Sequence, residues 1–171
     1  CVYGSARDLH AKGLGKLFPR QIKKISPSIK SSINISLDDS VSNKDCPYFV
    51  GRYIKDINNS SSPGWLIDRL KKIGLRPISG LVDLTNFLTF DSARPLHAFD
   101  ADRLEGDLIV RKANNGEQLK ALDGNIYKLD DTMTVIADAK GVQAIGGIIG
   151  GEQSGCSCLL YTSPSPRDQL Q

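Results

Sequence analysis

The sequence predicts an α+β fold, a layered mixed sheet packed against helices. Two segments with helical spacing of apolar residues lie within residues 62–88, and short apolar runs typical of strands follow residue 100. Because helices and strands do not alternate regularly, the order favours α+β over a doubly wound parallel sheet. The 171 residues are 40% hydrophobic and 24% charged, which is ordinary globular composition.

The first 54 residues predict one helix, a connector and two strands. Residues 2–17 have helical spacing, but Gly13 and Gly15 predict an early end. Residues 19–44 combine proline, serine and basic residues, as in a connector, and end in a short apolar strand at about 33–37. Residues 48–54 alternate aromatic and aliphatic side chains and predict a second strand.

The next segment contains the clearest helix signals. Ser62 is a candidate N-cap, Pro63 suits the first helical position, and Gly74 predicts a left-handed stop. A second helix is predicted over residues 79–88.

The second half predicts strands. Residues 108–110 and 134–137 are compact apolar runs, and residues 119–129 predict a hairpin around Asp123-Gly124. Residues 144–151 are apolar and punctuated by glycine.

Several functional classes are disfavoured by composition. No run of 18 apolar residues is present, so a membrane span is not predicted. The four cysteines form no C-x-x-C pair, which disfavours a zinc site and favours reduced thiols in a cytosolic protein. The chain does not begin with Met and has no signal peptide pattern, and we expect it to be a segment of a longer protein.

Charge is distributed unevenly along the chain. The net charge is +3, and residues 1–36 carry seven basic residues against Asp8 alone. Such a basic arm either contacts nucleic acid phosphates or is a solvated linker, and a lysine run without interleaved aromatic residues leaves both readings open.

A polar cluster is the first candidate site. Thr85 and Asn86 offer a hydroxyl and an amide near a predicted helix C-terminus, and His97 follows Pro95 in a loop that could fold back over them. These groups could orient a water molecule. Alternatively, a histidine beside Ala98 is simply packed in the core, and no Ser-His-Asp order supports a nucleophile.

A glycine-rich segment is the second candidate. Residues 146–151 read Gly-Gly-Ile-Ile-Gly-Gly, which is neither a dinucleotide fingerprint nor a P-loop. We therefore expect these glycines to allow the close approach of another backbone or of a ligand.

Three groups of motifs resemble, in order and spacing, the beta subunit of bacterial phenylalanyl-tRNA synthetases. They are Ile73-Gly74-Leu75-Arg76-Pro77-Ile78; Val82-Asp83-Leu84-Thr85-Asn86 with Pro95-Leu96-His97-Ala98-Phe99-Asp100; and Leu122-Asp123-Gly124 with the glycine-rich segment. The resemblance covers about residues 1–157 and is closest to the editing module of that subunit, whose fold mixes α and β layers.

The resemblance implies a proofreading esterase that hydrolyses tyrosine wrongly attached to the phenylalanine tRNA. It implies catalytic roles for Thr85, Asn86 and His97. The substrate-binding residues that it implies are Arg76, Pro95, Ala98, Gly146 and Gly147. A pocket that hydrogen-bonds the tyrosine hydroxyl would reject phenylalanine, because its polar groups would remain unpaired.

The same resemblance implies the partners and the cofactors. The tRNA(Phe) acceptor end and the alpha subunit of a heterotetramer are the expected partners, in the cytoplasm and without a membrane. No cofactor or metal is expected in the module, whereas ATP and Mg are implied for the synthetic site elsewhere in the parent enzyme. A non-catalytic module that contacts tRNA or packs against another subunit is the alternative, and a stand-alone small-ligand-binding protein is disfavoured.

We predict three regions: residues 1–44 as the end of a preceding domain with a basic linker, 45–157 as a C-terminally truncated editing module, and 158–171 as a disordered tail foreign to the family. Ala93 stands where the family usually has glycine. The Pro-Ser-Pro stretch at residues 164–166 is not expected to pair as a strand. The chain also has no glutamate after Glu152, although the family reads the tyrosine hydroxyl with a carboxylate on a later strand.

Overall fold

The computed structural model describes residues 1–156 and the backbone of residues 162–165. The helices are α1 (Val2–Ala11), α2 (Asp39–Ser42), α3 (Gly64–Lys72) and α4 (Gly80–Ser92), with a 3₁₀ turn at Ala101–Arg103. The strands are β1 (Ile35–Leu37), β2 (Arg52–Lys55), β3 (Leu108–Lys112), β4 (Gln118–Lys120), β5 (Ile126–Lys128), β6 (Thr134–Asp138), β7 (Gly141–Ile145), β8 (Ile149–Gly150) and β9 (Thr162–Ser165). This arrangement confirms the predicted α+β class.

The central sheet contains five strands in the order β1-β3-β6-β7-β8. The β1–β3 pair is parallel, whereas β3–β6, β6–β7 and β7–β8 are antiparallel, so the sheet is mixed as predicted. Successive residues of a strand point to opposite faces. Val135 and Ile136 in β6 accordingly belong to two different hydrophobic clusters, and both faces of the sheet at β6 are covered.

Helix α3 ends as predicted but begins differently. Gly74 has φ +80 and ends the helix in the left-handed region, as expected. Ser62, however, is not the cap, because Pro63 takes the N-cap position without a side-chain hydrogen bond. The Ser62 hydroxyl instead donates to the buried carboxylate of Asp83, at 2.5 Å.

Helix α4 is longer than predicted and runs to Ser92. Asp83 is its only buried residue, and Leu84 and Phe90 are more than two-fifths exposed. The Asp83 carboxylate also accepts the Ile78 N–H at 2.8 Å. A carboxylate in the first turn of a helix is favoured by the helix dipole, so Asp83 anchors this end of α4.

The hairpin predicted around Asp123-Gly124 is present, and the structure adds a second hairpin that was not predicted. Strands β4 and β5 pair around Asp123-Gly124, with Gly124 at φ +83. The glycine-rich segment forms the β7–β8 hairpin, in which Gly147 occupies the turn at φ +74.

The basic arm begins with a short helix, ends in β1 and is also attached to α4. Helix α1 ends at Ala11, as the nearby glycines predict. Arg20 packs over the ring of Tyr3 at 4.3 Å and forms an ion pair of 2.6 Å with Asp91 of α4. This cation of the arm is therefore used within the chain.

Strand β9 corrects the expectation that the Pro-Ser-Pro stretch would not pair. Thr162–Ser165 pairs antiparallel with β2, and Pro164 lies opposite Tyr53. In the part of the chain that the structure describes, β9 has one neighbouring strand, and an edge strand tolerates the missing N–H of proline. The remainder of the predicted tail lies outside the described residues.

Candidate functional site

The loop that carries His97 is held against the chain that follows the glycine-rich segment. Phe99 forms an antiparallel bridge with Gly155, and the Asp100 N–H donates to the Ser154 carbonyl at 3.0 Å. The Cys156 thiol lies 3.1 Å from the Ala98 carbonyl as a weak donor. This ladder brings the loop beside the end of the β7–β8 hairpin.

The His97 imidazole packs directly on that hairpin. Its ring meets Phe99 edge-on, with centroids 4.5 Å apart, and its Nε2 atom is buried. A Cβ atom on Gly150 would overlap the imidazole ring. Gly150 therefore permits the close approach of a side chain, whereas the approach expected from the sequence was that of another backbone or of a ligand.

Thr85 and Asn86 lie in the middle of α4 rather than near its C-terminus, because the helix continues to Ser92. Both residues are half-buried. The Thr85 hydroxyl donates within the helix to the Val82 carbonyl, at 2.9 Å. This bond stays within the helix, as is common for helical threonines.

A cavity of about 470 Å³ lies beside the glycine-rich turn. Its described lining residues are Asp45, Cys46, Phe49, Pro95, Val110, Thr132, Met133, Thr134, Ile136, Ile145, Gly146, Gly147 and Ile148. The walls are mainly apolar, with a few polar groups, and the volume is in the range of small-ligand sites. An aromatic amino acid side chain would fit such a space.

The cavity brings together three of the eight predicted site residues. Pro95 contributes to the lining together with the Gly146-Gly147 backbone. The other five are not among its described lining residues: Thr85, Asn86, His97, Ala98 and Arg76. The prediction that Thr85, Asn86 and His97 share one cleft with the glycines therefore stays a prediction, although His97 does contact the same hairpin at Gly150.

Arg76 is exposed in the connection between α3 and α4. This connection is fixed by the Asp83 bond to Ile78 and by the Gly80 N–H, which donates to the Ser60 carbonyl at 2.8 Å. The guanidinium is therefore presented from an anchored segment, on the outside of the molecule.

Sequence reasoning missed the residues that form the inner walls of the cavity. Phe49 precedes β2, and Val110 and Ile136 lie on neighbouring strands of the central sheet. Cys46 also lines the cavity, and burial raises the pKa of its thiol, which keeps it protonated. Alternation within the strands marks such residues as buried but does not assign them to a cavity.

No cluster of three or more potential metal ligands occurs within the residues that the structure describes. Among those residues, no helix is long and apolar enough to cross a membrane.

Residues 45–158 match the family model described as the B3/4 domain. The chain belongs to the B3/4 domain family. All described lining residues of the cavity, Asp45 to Ile148, fall within the matched B3/4 domain.

Relatives of this B3/4 domain chain carry it as part of a much longer protein. It is 50% identical to the phenylalanine–tRNA ligase beta subunit of Paramagnetospirillum magneticum over 157 residues, which are 91% of this chain and 20% of the relative. It is also 50% identical to the beta subunit of Rhodopseudomonas palustris, covering 91% of this chain and 19% of that protein. The chain thus spans about a fifth of the length of these relatives, and the resemblance drawn from the motifs is confirmed.

A solved structure gives the same fold. An N-terminal fragment of the phenylalanyl-tRNA synthetase beta subunit from Pyrococcus horikoshii matches with a TM-score of 0.58 at 16% identity. The match covers 97% of this chain and 51% of that fragment. The predicted division into residues 1–44, 45–157 and 158–171 stays a prediction.

Proposed function

We propose that this chain is the editing module of a phenylalanine–tRNA ligase beta subunit and hydrolyses tyrosyl-tRNA(Phe). The observation that carries the proposal is the meeting of an imidazole, an apolar cavity and an exposed glycine backbone at one hairpin. His97 packs on Gly150, and Gly146 and Gly147 line the cavity a few residues before it. The 50% identity to beta subunits supports the assignment to this enzyme.

The reaction requires few catalytic groups, because an aminoacyl ester is already activated. The oxygen of water attacks the ester carbonyl, and the bond to the ribose oxygen breaks. In the proposal, the His97 imidazole accepts the proton of water and returns it to the leaving ribose oxygen. Thr85 and Asn86 orient the water or the substrate amino group, and positioning supplies most of the acceleration.

The two glycines have different capacities to stabilise the developing oxyanion. The Gly146 N–H already donates to the Thr134 carbonyl at 2.8 Å. The Gly147 N–H has no hydrogen-bond partner within the described part of the chain, and Gly147 is exposed beside the cavity. Gly147 is therefore the backbone donor that we assign to the oxyanion.

The test compares the wild-type chain with His97→Ala and with His10→Ala, which removes the exposed second histidine of the sequence. Hydrolysis of tyrosyl-tRNA(Phe) is followed together with tRNA binding, both in the 171-residue chain and in a form with a family-like continuation after Ser157. We expect His97→Ala to slow hydrolysis about a hundredfold or more with little change in binding, and His10→Ala to have no effect. Equal rates of hydrolysis by all three proteins would show that His97 is not catalytic and only packs in the core.

The continuation tests selectivity as well. Because no glutamate follows Glu152, we expect the 171-residue chain to discriminate poorly between tyrosyl- and phenylalanyl-tRNA. One lost hydrogen bond to the tyrosine hydroxyl costs on the order of 1–3 kcal/mol of preference. Strong tyrosine selectivity of the short chain would show that the later carboxylate is not required.

A non-catalytic packing module is the second candidate, favoured by the exposed apolar surface of α3 and α4. Trp65 is 52% exposed, Phe90 46% and Leu84 42%. In this alternative, another protein covers these exposed apolar side chains. Binding of tRNA or of the alpha subunit without any ester hydrolysis would favour this alternative.

The properties of the whole enzyme are proposals for the longer protein. They include ATP- and Mg-dependent aminoacylation, assembly with an alpha subunit, contact with the tRNA acceptor end and a cytoplasmic location.

A further inference from the structure

The loop between α4 and His97 begins with an unfavourable backbone conformation. Ala93 caps α4 at φ +55, in the left-handed region that favours glycine. The chain then reverses through Arg94 and Pro95 to reach His97. A loop that starts from a strained residue needs contacts that define its path.

One side chain of α4 makes such contacts. The Thr89 hydroxyl lies 2.8 Å from the Thr85 carbonyl and 3.3 Å from the Arg94 carbonyl, and it accepts the Leu96 N–H at 3.4 Å. A hydroxyl has one hydrogen to donate and lone pairs that accept, so it can satisfy a carbonyl and the Leu96 N–H together. Thr89 therefore joins the helix turn of Thr85 to the residue immediately before His97.

We propose that Thr89 is a positioning residue, which sets the His97 loop relative to the Thr85 turn of α4. The effect on hydrolysis rests on the proposed function, whereas the effect on loop geometry does not. Thr89 is not assigned contact with substrate.

Ser92 supplies a matched control on the same helix. Its hydroxyl donates to the Leu88 carbonyl at 2.6 Å, the same local bond that Thr89 makes to Thr85. Within the described residues, Ser92 makes no side-chain hydrogen bond to residues 94–97. Ser92→Ala therefore measures the effect of losing a hydroxyl bond within the helix, without any loss of a bond to the His97 loop.

The experiment uses NMR on the full 171-residue chain, since it contains only two histidines. His10 is exposed on α1, whereas the His97 resonance is sensitive to the Phe99 ring at 4.5 Å. In Thr89→Val, we expect the His97 ring resonance to shift, the His10 resonance to stay and the Leu96 amide to exchange roughly fivefold faster or more. Thr89→Ser should restore the wild-type signals, and Ser92→Ala should leave them unchanged.

A second substitution guards against a folding defect. Thr89→Ala also removes the hydroxyl and has better helix propensity than valine, so it should reproduce the Thr89→Val signals. Unchanged His97 and Leu96 signals in both variants would overturn the proposal.

Hydrolysis then separates this inference from the proposed function. If Thr89 positions His97 for editing, kcat for tyrosyl-tRNA falls in Thr89→Val by roughly fivefold or more, with KM nearly constant and rescue by Thr89→Ser. If the His97 and Leu96 signals change in Thr89→Val but the wild-type chain does not hydrolyse tyrosyl-tRNA, the positioning role stands and the editing assignment is wrong. A fall in kcat without any change in the signals would defeat the positioning role instead.

Discussion

The ion pair between Arg111 and Glu117 connects the central sheet to the β4–β5 hairpin and allows a quantitative test. Arg111 binds both carboxylate oxygens of Glu117, at 2.9 and 2.7 Å, and the Asn114 N–H donates to the same carboxylate at 2.7 Å. The two charged side chains are 20% and 24% exposed. These hydrogen bonds, led by that of Arg111, lower the pKa of Glu117 from 4.5 to about 2.

A carboxyl whose pKa is lower in the folded state stabilises that state at pH values above its unfolded pKa. The stabilisation from Glu117 is thus fully present above about pH 5 and is lost as the pH falls through about 2. The difference between the two pKa values corresponds to at most about 3 kcal/mol. Because solvent screens a partly exposed pair, we expect about 1–2 kcal/mol.

The assay is urea unfolding of Glu117→Gln, with Glu152→Gln as the matched control. Glu152 pairs with Lys120 at the same distance of 2.7 Å, but both side chains are more than half exposed. At about pH 7, we expect Glu117→Gln to lower the free energy of unfolding by about 1–2 kcal/mol, and Glu152→Gln by about 0.5 kcal/mol or less. The effect of Glu117→Gln should narrow by more than half at about pH 3. Equal effects of both substitutions, or a pH-independent effect, would refute this reasoning.

Three further outcomes are expected. In Gly150→Ala, the new Cβ overlaps the His97 ring, so His97 should move. We expect the free energy of unfolding to fall by about 1–3 kcal/mol and the His97 resonance to shift. An unshifted resonance would contradict the packing of His97 on Gly150. Ala93→Gly should raise the free energy of unfolding by about 0.5–1 kcal/mol, because glycine adopts φ +55 without strain, and a destabilised variant in chemical denaturation would count against this. Replacing Lys23 and Lys24 by Gln should weaken tRNA binding about equally for all sequences and flatten its salt dependence, whereas unchanged salt slopes would make the arm a linker.

Local signals were sufficient for most of the fold. The Asp123-Gly124 turn, the Gly74 stop and the apolar strand runs each act through neighbouring residues, and all three are present. The Ser62 cap failed because its partner, Asp83, is 21 residues away and the competing bond depends on how α3 packs on α4. The end of α4 was placed too early because residues 89–92 continue the helix until Ala93 adopts a left-handed conformation.

The candidate site was less predictable, since it depends on contacts between distant segments. The family resemblance grouped Pro95 with the glycine-rich segment, and the same cavity is lined by both. The ring contact of His97 with Gly150 crosses more than fifty residues, and no local pattern specifies it. Ala93 is an intermediate case: the resemblance implies a departure from glycine at this position, and the φ angle gives Ala93 an energetic meaning.

The described geometry divides the candidate site into two parts with separate supports. Asp83 anchors the start of α4 and with it the turn that carries Thr85. The His97 loop is supported elsewhere, by the ladder of Phe99 with Gly155. The Thr89 hydroxyl connects the two parts, because it bonds to the Thr85 carbonyl in α4 and to the Leu96 N–H in the His97 loop. Damage to either anchor should therefore move one part of the site alone, whereas loss of the Thr89 hydroxyl should change the relation between two parts that each remain folded.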